Sequence, residues 1–402
     1  MRNSIRIGII LQTESGWMGG VIYIQNLIKA LAELPPETRS QIELYLLTSP
    51  RVDPNVYEEF KPLVNAVIVE NFLGFSFLNR ARWKLSRSLH WLKDSRLVSL
   101  ANKKKLDFIY PIEGTASISW DFKCAWAGWV PDFQYKYLPH LFSPKNLADR
   151  DRILGEMANL SKNMVFSSQV SANDFKKFCP ESRAQIHILN FRTIPKPDWY
   201  IGNPELVQHK YKLPDRFFLV SNQFWRHKNH RFVIEALTIL KQKNIYPVVA
   251  CTGELYDHRY PEYSKEIFNL IHQEGLESQF ITLGLIPRLD QIQLMRRSLA
   301  VIQPSLFEGW STVVEDARSL GKMIILSNIG VHLEQNPPNA IFFASDRVED
   351  LVEKIADSWH NFDPGVNFIL ETEAKELNYH QCQTYAQDFL KIVENSINPP
   401  TI

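Results

Sequence analysis

The sequence predicts an α/β protein made of two domains, each with a parallel sheet covered by helices. Two observations lead to this fold class. The length of 402 residues suits two domains of ordinary size. Short apolar runs alternate with amphipathic helical stretches along the whole chain, as they do in βαβ units.

The apolar runs fall into two series of six predicted strands. Strands of the first series are expected near Ile5–Leu11, Glu43–Leu47, Asn65–Ile68, Phe108–Pro111, Ala125–Trp129 and Asn163–Ser167. Those of the second series are expected near Phe217–Val220, Pro247–Thr252, Phe280–Leu283, Leu299–Gln303, Met323–Ser327 and Ala340–Phe343. Each series is long enough to form one sheet.

A proline-containing stretch separates the two series. Ile194-Pro195-Lys196-Pro197-Asp198 restricts the backbone and resists helix or central strand. We predict domains of residues 1–203 and 204–374, with a helix in 375–402 that crosses back to the first domain. Because ligands of open parallel sheets bind beyond the carboxyl ends of the strands, two facing sheets place the active site in the cleft between them.

Charge, cysteine content and hydropathy narrow the function classes. Lysine plus arginine (45) nearly balance aspartate plus glutamate (44), so no global field favours nucleic acid. The four cysteines have no C-x-x-C spacing, which argues against a metal site or disulfides and for a reducing compartment. The first apolar run is shorter than a signal peptide requires, and no stretch is long enough to span a membrane. We predict a cytoplasmic protein.

The strongest motif runs from Pro304 to Lys322, directly after a predicted strand. It contains Glu308, a loop with Gly309, Trp310, Ser311 and Thr312, and a helix that Ser311 or Thr312 caps. Backbone N–H groups at such a helix start suit a diphosphate.

Helical geometry separates the two acids inside that helix. Val313, Val314, Ala317 and Leu320 form its apolar stripe. At about 100° per residue, Asp316 lies at the margin of the stripe, where its carboxylate needs polar partners, and Glu315 points to solvent.

The whole run resembles the E-x7-E motif of family 4 retaining glycosyltransferases. These have the GT-B architecture, two Rossmann-like βαβ domains facing across a cleft. The resemblance implies that Glu308 contacts the donor sugar and that Asp316, in place of the usual glutamate, contacts the ribose hydroxyls.

A second motif, Leu219–His230, resembles the donor-phosphate loop of the same family. Lys228 stands at the phosphate-binding lysine, which can neutralise a leaving diphosphate. Asn222 and Gln223 occupy the donor-side places where many family members carry an arginine. Arg226 either replaces that arginine or is a solvated loop residue, and both interpretations stay open.

Three further loops resemble the family more weakly. Gly19 and Gly20 follow the first strand, in a loop that relatives use to bind the donor phosphates or the acceptor. The loop lacks the G-x-G-x-x-G pattern of a dehydrogenase. Asp132 follows the fifth strand and either orients the acceptor or caps a turn. The backbone of Ile286 lies in the loop that relatives place beneath the nucleotide base.

Taken together, the resemblance implies a retaining, metal-independent glycosyltransferase, most simply a hexosyltransferase. It would use a nucleoside-diphosphate sugar as co-substrate, without a cofactor, and a glycan or lipid-linked acceptor in cell-surface polysaccharide or glycolipid synthesis. The departing phosphate would take the acceptor proton, so the catalytic set is Glu308, Lys228 and Asp132. The alternative is a non-catalytic GT-B module that binds nucleotide or glycan, or that pairs with an active partner.

A local basic stretch covers residues 78–105, where nine lysines and arginines surround a single aspartate. Leucines and tryptophans give it an amphipathic character. It is either a peripheral contact with the inner face of the plasma membrane, where a lipid-linked acceptor would lie, or an ordinary helix with a solvated basic face.

Overall fold

The computed structural model describes residues 4–11, 18–71, 96–115, 118 and 122–398. The chain divides into two compact units. The first unit holds the described residues up to Phe133, together with Pro144–Arg192 and those from Gln381 onward; the second holds Gln134–Ser143 and Thr193–His380. The main boundaries between the units along the chain therefore lie at 192/193 and 380/381. The sequence predicted these two boundaries at 203/204 and 374/375. Segments 78–95 of the basic stretch lie outside the described residues.

The first unit contains a seven-stranded sheet in which every described pairing is parallel, in the order β3-β2-β1-β4-β5-β6-β7. Its strands are β1 Ile5–Leu11, β2 Ile42–Thr48, β3 Ala66–Val69, β4 Phe108–Ile112, β5 Ala125–Trp129, β6 Asn163–Phe166 and β7 Gln185–Ile188. The six predicted strands are all present. The sequence missed β7 because its four residues, Gln-Ile-His-Ile, form a short and partly exposed edge strand.

The second unit contains a six-stranded parallel sheet in the order β10-β9-β8-β11-β12-β13. Its strands are β8 Phe218–Ser221, β9 Val249–Thr252, β10 Phe280–Gly284, β11 Val301–Gln303, β12 Ile324–Ser327 and β13 Ala340–Phe343. Both faces are covered by helices, which explains the nearly continuous apolar runs of β8, β11 and β12. Strands β9 and β10 lie on one side of β8, and strands β11 to β13 lie on its other side. In doubly wound sheets, such a switch point between two central strands opens a ligand crevice.

Helices connect the strands of both units. In the first unit they are Met18–Ala32, Pro36–Arg39, Arg96–Lys104, Pro144–Leu160 and Gln169–Phe178. In the second they are Gln134–Tyr137, Pro197–Ile201, Pro204–Lys210, His230–Gln242, Tyr263–Glu274, Arg288–Arg297, Thr312–Ser319, Gly330–Gln335 and Val348–Asn361. Short 3-10 turns are Pro54–Val56, Glu58–Leu63, Pro139–Leu141 and Arg226–Lys228. No helix among the described residues is long and apolar enough to cross a membrane.

The last helix, Phe368–Ile397, passes from the second unit into the first. In its later half Gln383 donates a hydrogen bond to Glu33 O at 2.8 Å. Phe389 packs edge-on against Phe108, with ring centroids 6.1 Å apart. This part of the helix belongs to the core of the first unit.

Candidate functional site

Two loops meet at the crevice between β8 and β11. One follows β8 and contains residues 222–229; the other follows β11 and contains residues 304–311. The backbone N–H of Leu306 donates to His227 O at 2.8 Å and ties the loops together. The first loop ends at Asn229 in the left-handed region (φ 58°), from which the helix His230–Gln242 starts.

A lysine and a glutamate form an ion pair across this crevice. Lys228 Nζ lies 2.6 Å from Glu308 Oε1, and the side chains are only 16% and 9% exposed. The Gln303 amide also donates to Glu308 Oε1 at 3.0 Å. Asn222 Nδ2 in turn donates to Gln303 Oε1 at 2.7 Å. The structure thus brings predicted residues 228 and 308 into direct contact and places Asn222 one step behind them.

The surroundings keep the Glu308 carboxyl ionised. Burial acts to raise its pKa, but the charge of Lys228 and hydrogen bonds from Lys228 and Ser305 outweigh burial and hold the pKa below its ordinary value. The carboxylate is therefore negative at neutral pH, with Lys228 as its counter-ion.

Three buried histidines around the pair are neutral at pH 7. Burial, aided by the charge of Lys228, lowers the pKa of His227 well below its ordinary value and that of His230 to about 3. Burial also lowers the pKa of His332 to about 4, although Glu308 acts in the opposite direction. The Nδ1 nitrogen of His332 lies 2.9 Å from Ser327 O and donates to it, so Nε2 carries the lone pair.

The helix after the glutamate is held at its start by Gln335. Ser311 is its N-cap residue, and the backbone N–H of Ser311 donates to Gln335 Oε1 at 3.1 Å. Gln335 Nε2 returns a hydrogen bond to Ser311 O at 3.1 Å. The Ser311 amide therefore has a protein partner in place of the diphosphate that the sequence predicts for it. Gly309 and Trp310 are buried in the same loop, and Thr312 is half-buried.

The prediction that Glu315 points to solvent is wrong. Its side chain is fully buried, lies 3.4 Å from Arg318 Nε and accepts a hydrogen bond from Gln335 at 3.0 Å. The helix Thr312–Ser319 is covered on all sides, with every residue from Val313 to Ser319 buried. A single apolar stripe does not describe a helix whose polar side packs against other protein groups.

Asp316 is also fully buried, and its polar partners come from the protein. Thr193 Oγ1 donates to Asp316 Oδ1 at 2.9 Å. Arg288 Nη2 lies 2.6 Å from Asp316 Oδ2. One oxygen of the second acid of the motif therefore accepts a hydrogen bond from the chain, and the other lies in an ion pair with Arg288.

The remaining predicted residues of the second unit lie around this centre. Arg226 is exposed, with its guanidinium 4.6 Å from the centre of the Tyr260 ring. Gln223 is half-buried, and its backbone oxygen accepts from Trp225 N at 2.7 Å. Ile286 is partly buried and packs against an apolar core cluster of the unit.

Gly19, Gly20 and Asp132 belong to the first unit. Both glycines lie in the first turn of the helix Met18–Ala32, and Asp132 is half-buried three residues after β5. Residues 12–17, between β1 and this helix along the chain, lie outside the described part of the chain. Among the described residues no group of three or more acidic, histidine or cysteine side chains is arranged to hold a metal ion.

Sequence reasoning missed several polar side chains that support the centre. They are Gln303, Ser305, His332, Gln335 and Arg288. Gln303 and Ser305 carried a signal, because polar residues that end an apolar strand commonly face a ligand crevice. The other residues carried none, since their contacts are long-range.

These features define a class of protein: a chain of two α/β units, the second with a polar, charged crevice at the switch point of its parallel sheet. Residues 205–368 match the family described as glycosyl transferases group 1. The architecture is GT-B, as predicted. No match was found among curated proteins.

Solved structures share the fold over nearly the whole chain. Alr3699/HepE from Anabaena, in complex with UDP and glucose, is 16% identical with a TM-score of 0.67, covering 97% of this chain and 100% of its own. A glycosyltransferase from Rickettsia africae ESF-5 is 15% identical with a TM-score of 0.67, covering 100% of both chains. Sucrose-phosphate synthase from Thermosynechococcus elongatus is 12% identical with a TM-score of 0.64, covering 98% and 95%.

Proposed function

We propose that this protein is a retaining glycosyltransferase that moves a sugar, most simply a hexose, from a nucleoside-diphosphate sugar to a glycan or lipid-linked acceptor. The observation that carries the proposal is the Lys228–Glu308 pair, with its 2.6 Å contact at the switch point of the C-terminal sheet. The similar Alr3699/HepE was solved with UDP and with UDP-glucose, which supports a nucleotide sugar as the ligand class.

The pair supplies two chemically different contacts at one point. Lys228 has two N–H donors beyond the one it gives Glu308, so it can neutralise negative charge that develops on a leaving diphosphate. Glu308 is an ionised acceptor held in place by Gln303, suited to the hydroxyls of a sugar. As the sequence motif implies, we expect Asp132 to orient the acceptor hydroxyl.

The first test is turnover of a panel of UDP-, GDP- and ADP-linked sugars, measured as released nucleoside diphosphate. Glu308→Gln should lower kcat at least 100-fold, since one charged contact to the reacting sugar is lost. Lys228→Met should lower both donor affinity and kcat. Lys391→Met, which removes an exposed lysine paired with Asp388 on the last helix, is the matched control and should behave as wild type.

Two further measurements check the finer parts of the proposal. Nuclear magnetic resonance of the product should show the anomeric configuration of the donor retained, and an inverted product would contradict the retaining mechanism. Turnover should persist in EDTA, because Lys228 supplies the positive charge at the diphosphate. Full activity of Glu308→Gln, or a wild-type protein that neither binds nor turns over any member of the panel, would refute the transferase proposal.

A further inference from the structure

Arg288 presents a partly exposed guanidinium group at the edge of the site. It is the first residue of the helix Arg288–Arg297, directly after the loop that follows β10. Its side chain is 37% exposed, whereas that of its ion-pair partner Asp316 is 1% exposed. The carboxylate is therefore sealed within the protein, and the guanidinium forms the end of the pair that meets solvent.

Three contacts fix the orientation of that guanidinium. Besides the ion pair with Asp316, Nη1 donates to Gln291 Oε1 at 2.7 Å. The guanidinium carbon lies 5.1 Å from the centre of the Trp199 ring. Gln291 also donates to Ser221 Oγ at the end of β8, so the arginine is joined to the strand that leads to Asn222 and Lys228.

The chemistry of this arrangement favours neutral oxygen atoms as ligands. A guanidinium has five N–H donors, and those not directed at Gln291 and Asp316 have no acceptor in the described part of the chain. Because Asp316 compensates the charge, the pair offers directed donors with no net charge. Hydroxyl and carbonyl oxygens match such donors.

An apolar side chain is exposed in the loop that leads into this helix. Leu285, three residues before Arg288 in the chain, is 74% exposed. A ligand that presents a flat apolar ring together with carbonyl and hydroxyl oxygens satisfies both residues. A nucleoside has this combination.

We propose that Arg288 recognises the nucleoside of the donor by donating hydrogen bonds to its oxygen atoms, either a ribose hydroxyl or a base carbonyl. This inference rests on the proposed function. It assigns to Arg288 the nucleoside contact that the motif alone gives to Asp316, and it makes Asp316 a positioning residue.

The experiment is isothermal titration calorimetry on the full chain. The nucleoside diphosphate that wild type binds best among UDP, GDP and ADP is compared with its 2′-deoxy and 3′-deoxy analogues. For a base with a carbonyl group, it is also compared with an analogue in which one base carbonyl is replaced, such as CDP, which has an amine at the C4 position where UDP has a carbonyl. Losing a hydrogen bond to a charged group should weaken wild-type binding 10- to 100-fold for one of these analogues. The analogue that loses affinity identifies the oxygen.

The variants separate recognition from folding. The double variant Arg288→Gln with Asp316→Asn leaves no buried unpaired carboxylate, so we expect it to unfold near the wild-type temperature. It should bind the parent nucleotide at least tenfold more weakly and should no longer discriminate between the parent and the analogue. Arg288→Lys keeps the charge but not the fork of donors, so discrimination should fall while the fold is kept. Asp316→Asn alone should keep most of the discrimination. Arg347→Gln, an exposed arginine paired with Asp350, is the control.

Two results would overturn the inference while leaving the proposed function intact. The first is a double variant that binds the parent nucleotide as wild type does or still discriminates the analogue. The second is an Asp316→Asn variant that alone loses discrimination while Arg288→Lys keeps it, which would assign the contact to the aspartate. A wild-type protein that binds no nucleoside diphosphate would refute both the proposed function and this inference.

Discussion

Removing the ammonium group of Lys228 should destabilise the second unit even without a ligand. The change Lys228→Met keeps most of the side-chain volume and leaves the Glu308 carboxylate in a nearly closed pocket. The amide of Gln303 and the hydroxyl of Ser305 would still donate hydrogen bonds to it. The reason for the loss is the burial of an uncompensated charge.

The size of the effect follows from the geometry of the pair. At the 2.6 Å separation of Nζ and Oε1 and an effective dielectric constant of about 20, the attraction is about 6 kcal/mol. The cost of desolvating both groups cancels much of this attraction in the wild type. Removing one partner of such a pair costs about 3 kcal/mol, at the lower end of the range for buried pairs because the lysine is 16% exposed.

The assay is urea unfolding of wild type and variant, followed by tryptophan fluorescence at pH 7. Lys210→Met is the matched control: Lys210 Nζ also lies 2.6 Å from a carboxylate, that of Asp290, but its side chain is 57% exposed. We expect the control to unfold almost as wild type does, because water screens and replaces the exposed contact. Equal losses of unfolding free energy in the two variants would refute the argument that burial determines how much an ion pair contributes to stability.

The pH dependence of the same comparison has a defined sign. In wild type the pairing of Glu308 stabilises the fold above the ordinary pKa of a glutamate and is lost as pH falls through the lowered folded pKa. In Lys228→Met, burial acts largely unopposed and raises the pKa of Glu308, so protonation removes the unpaired charge on mild acidification. The difference in unfolding free energy between variant and wild type should therefore be largest at neutral pH and shrink toward pH 5.

Three other predictions concern the support of the site. Gly253→Ala should cost about 3 kcal/mol of unfolding free energy and weaken nucleotide binding, because φ is +139° there and a Cβ would lie 2.2 Å from Asn222 O; an unchanged urea midpoint would contradict it. Glu371→Gln should cost about 3 kcal/mol in the same assay, since it breaks a buried two-point ion pair with Arg296 at 2.6 and 3.0 Å. Burial lowers the pKa of Lys322 to about 7, so the unfolded chain binds more protons above that pH and stability should rise with pH from 7 to 9; Lys322→Met should flatten this rise.

The strands were predictable because buried parallel strands leave a strong local signal. Runs such as Phe218–Ser221 and Ile324–Ser327 are fully buried and almost wholly apolar, so each run can be recognised as a buried strand from its own sequence. The edge strand Gln185–Ile188 is partly exposed and lacks that signal. Domain boundaries were less predictable because they depend on which residues pack together: Gln134–Ser143 lies between elements of the first unit along the chain but packs with the second.

Within the second unit, the meeting of Lys228 and Glu308 could be predicted from the sequence, but their polar partners could not. Lys228 and Glu308 follow different strands, and the parallel topology alone is enough to bring the ends of β8 and β11 side by side. The burial of the Glu315 side chain could not be predicted by counting helical positions. It depends on Gln335, twenty residues away, which covers the side of the helix that periodicity assigns to solvent.

The contacts of Lys228 and Glu308 bear on how the two motifs act. Each motif, taken alone, gives one residue one ligand group: phosphate for the lysine and sugar for the glutamate. In the folded unit the two side chains share a hydrogen bond, and Gln303 and Asn222 extend the same network into the sheet. If Lys228 binds the diphosphate as proposed, the diphosphate would therefore change the charge and hydrogen bonding around Glu308. The two proposed contacts would then be coupled, and we expect a variant at either residue to alter the binding of both parts of the donor.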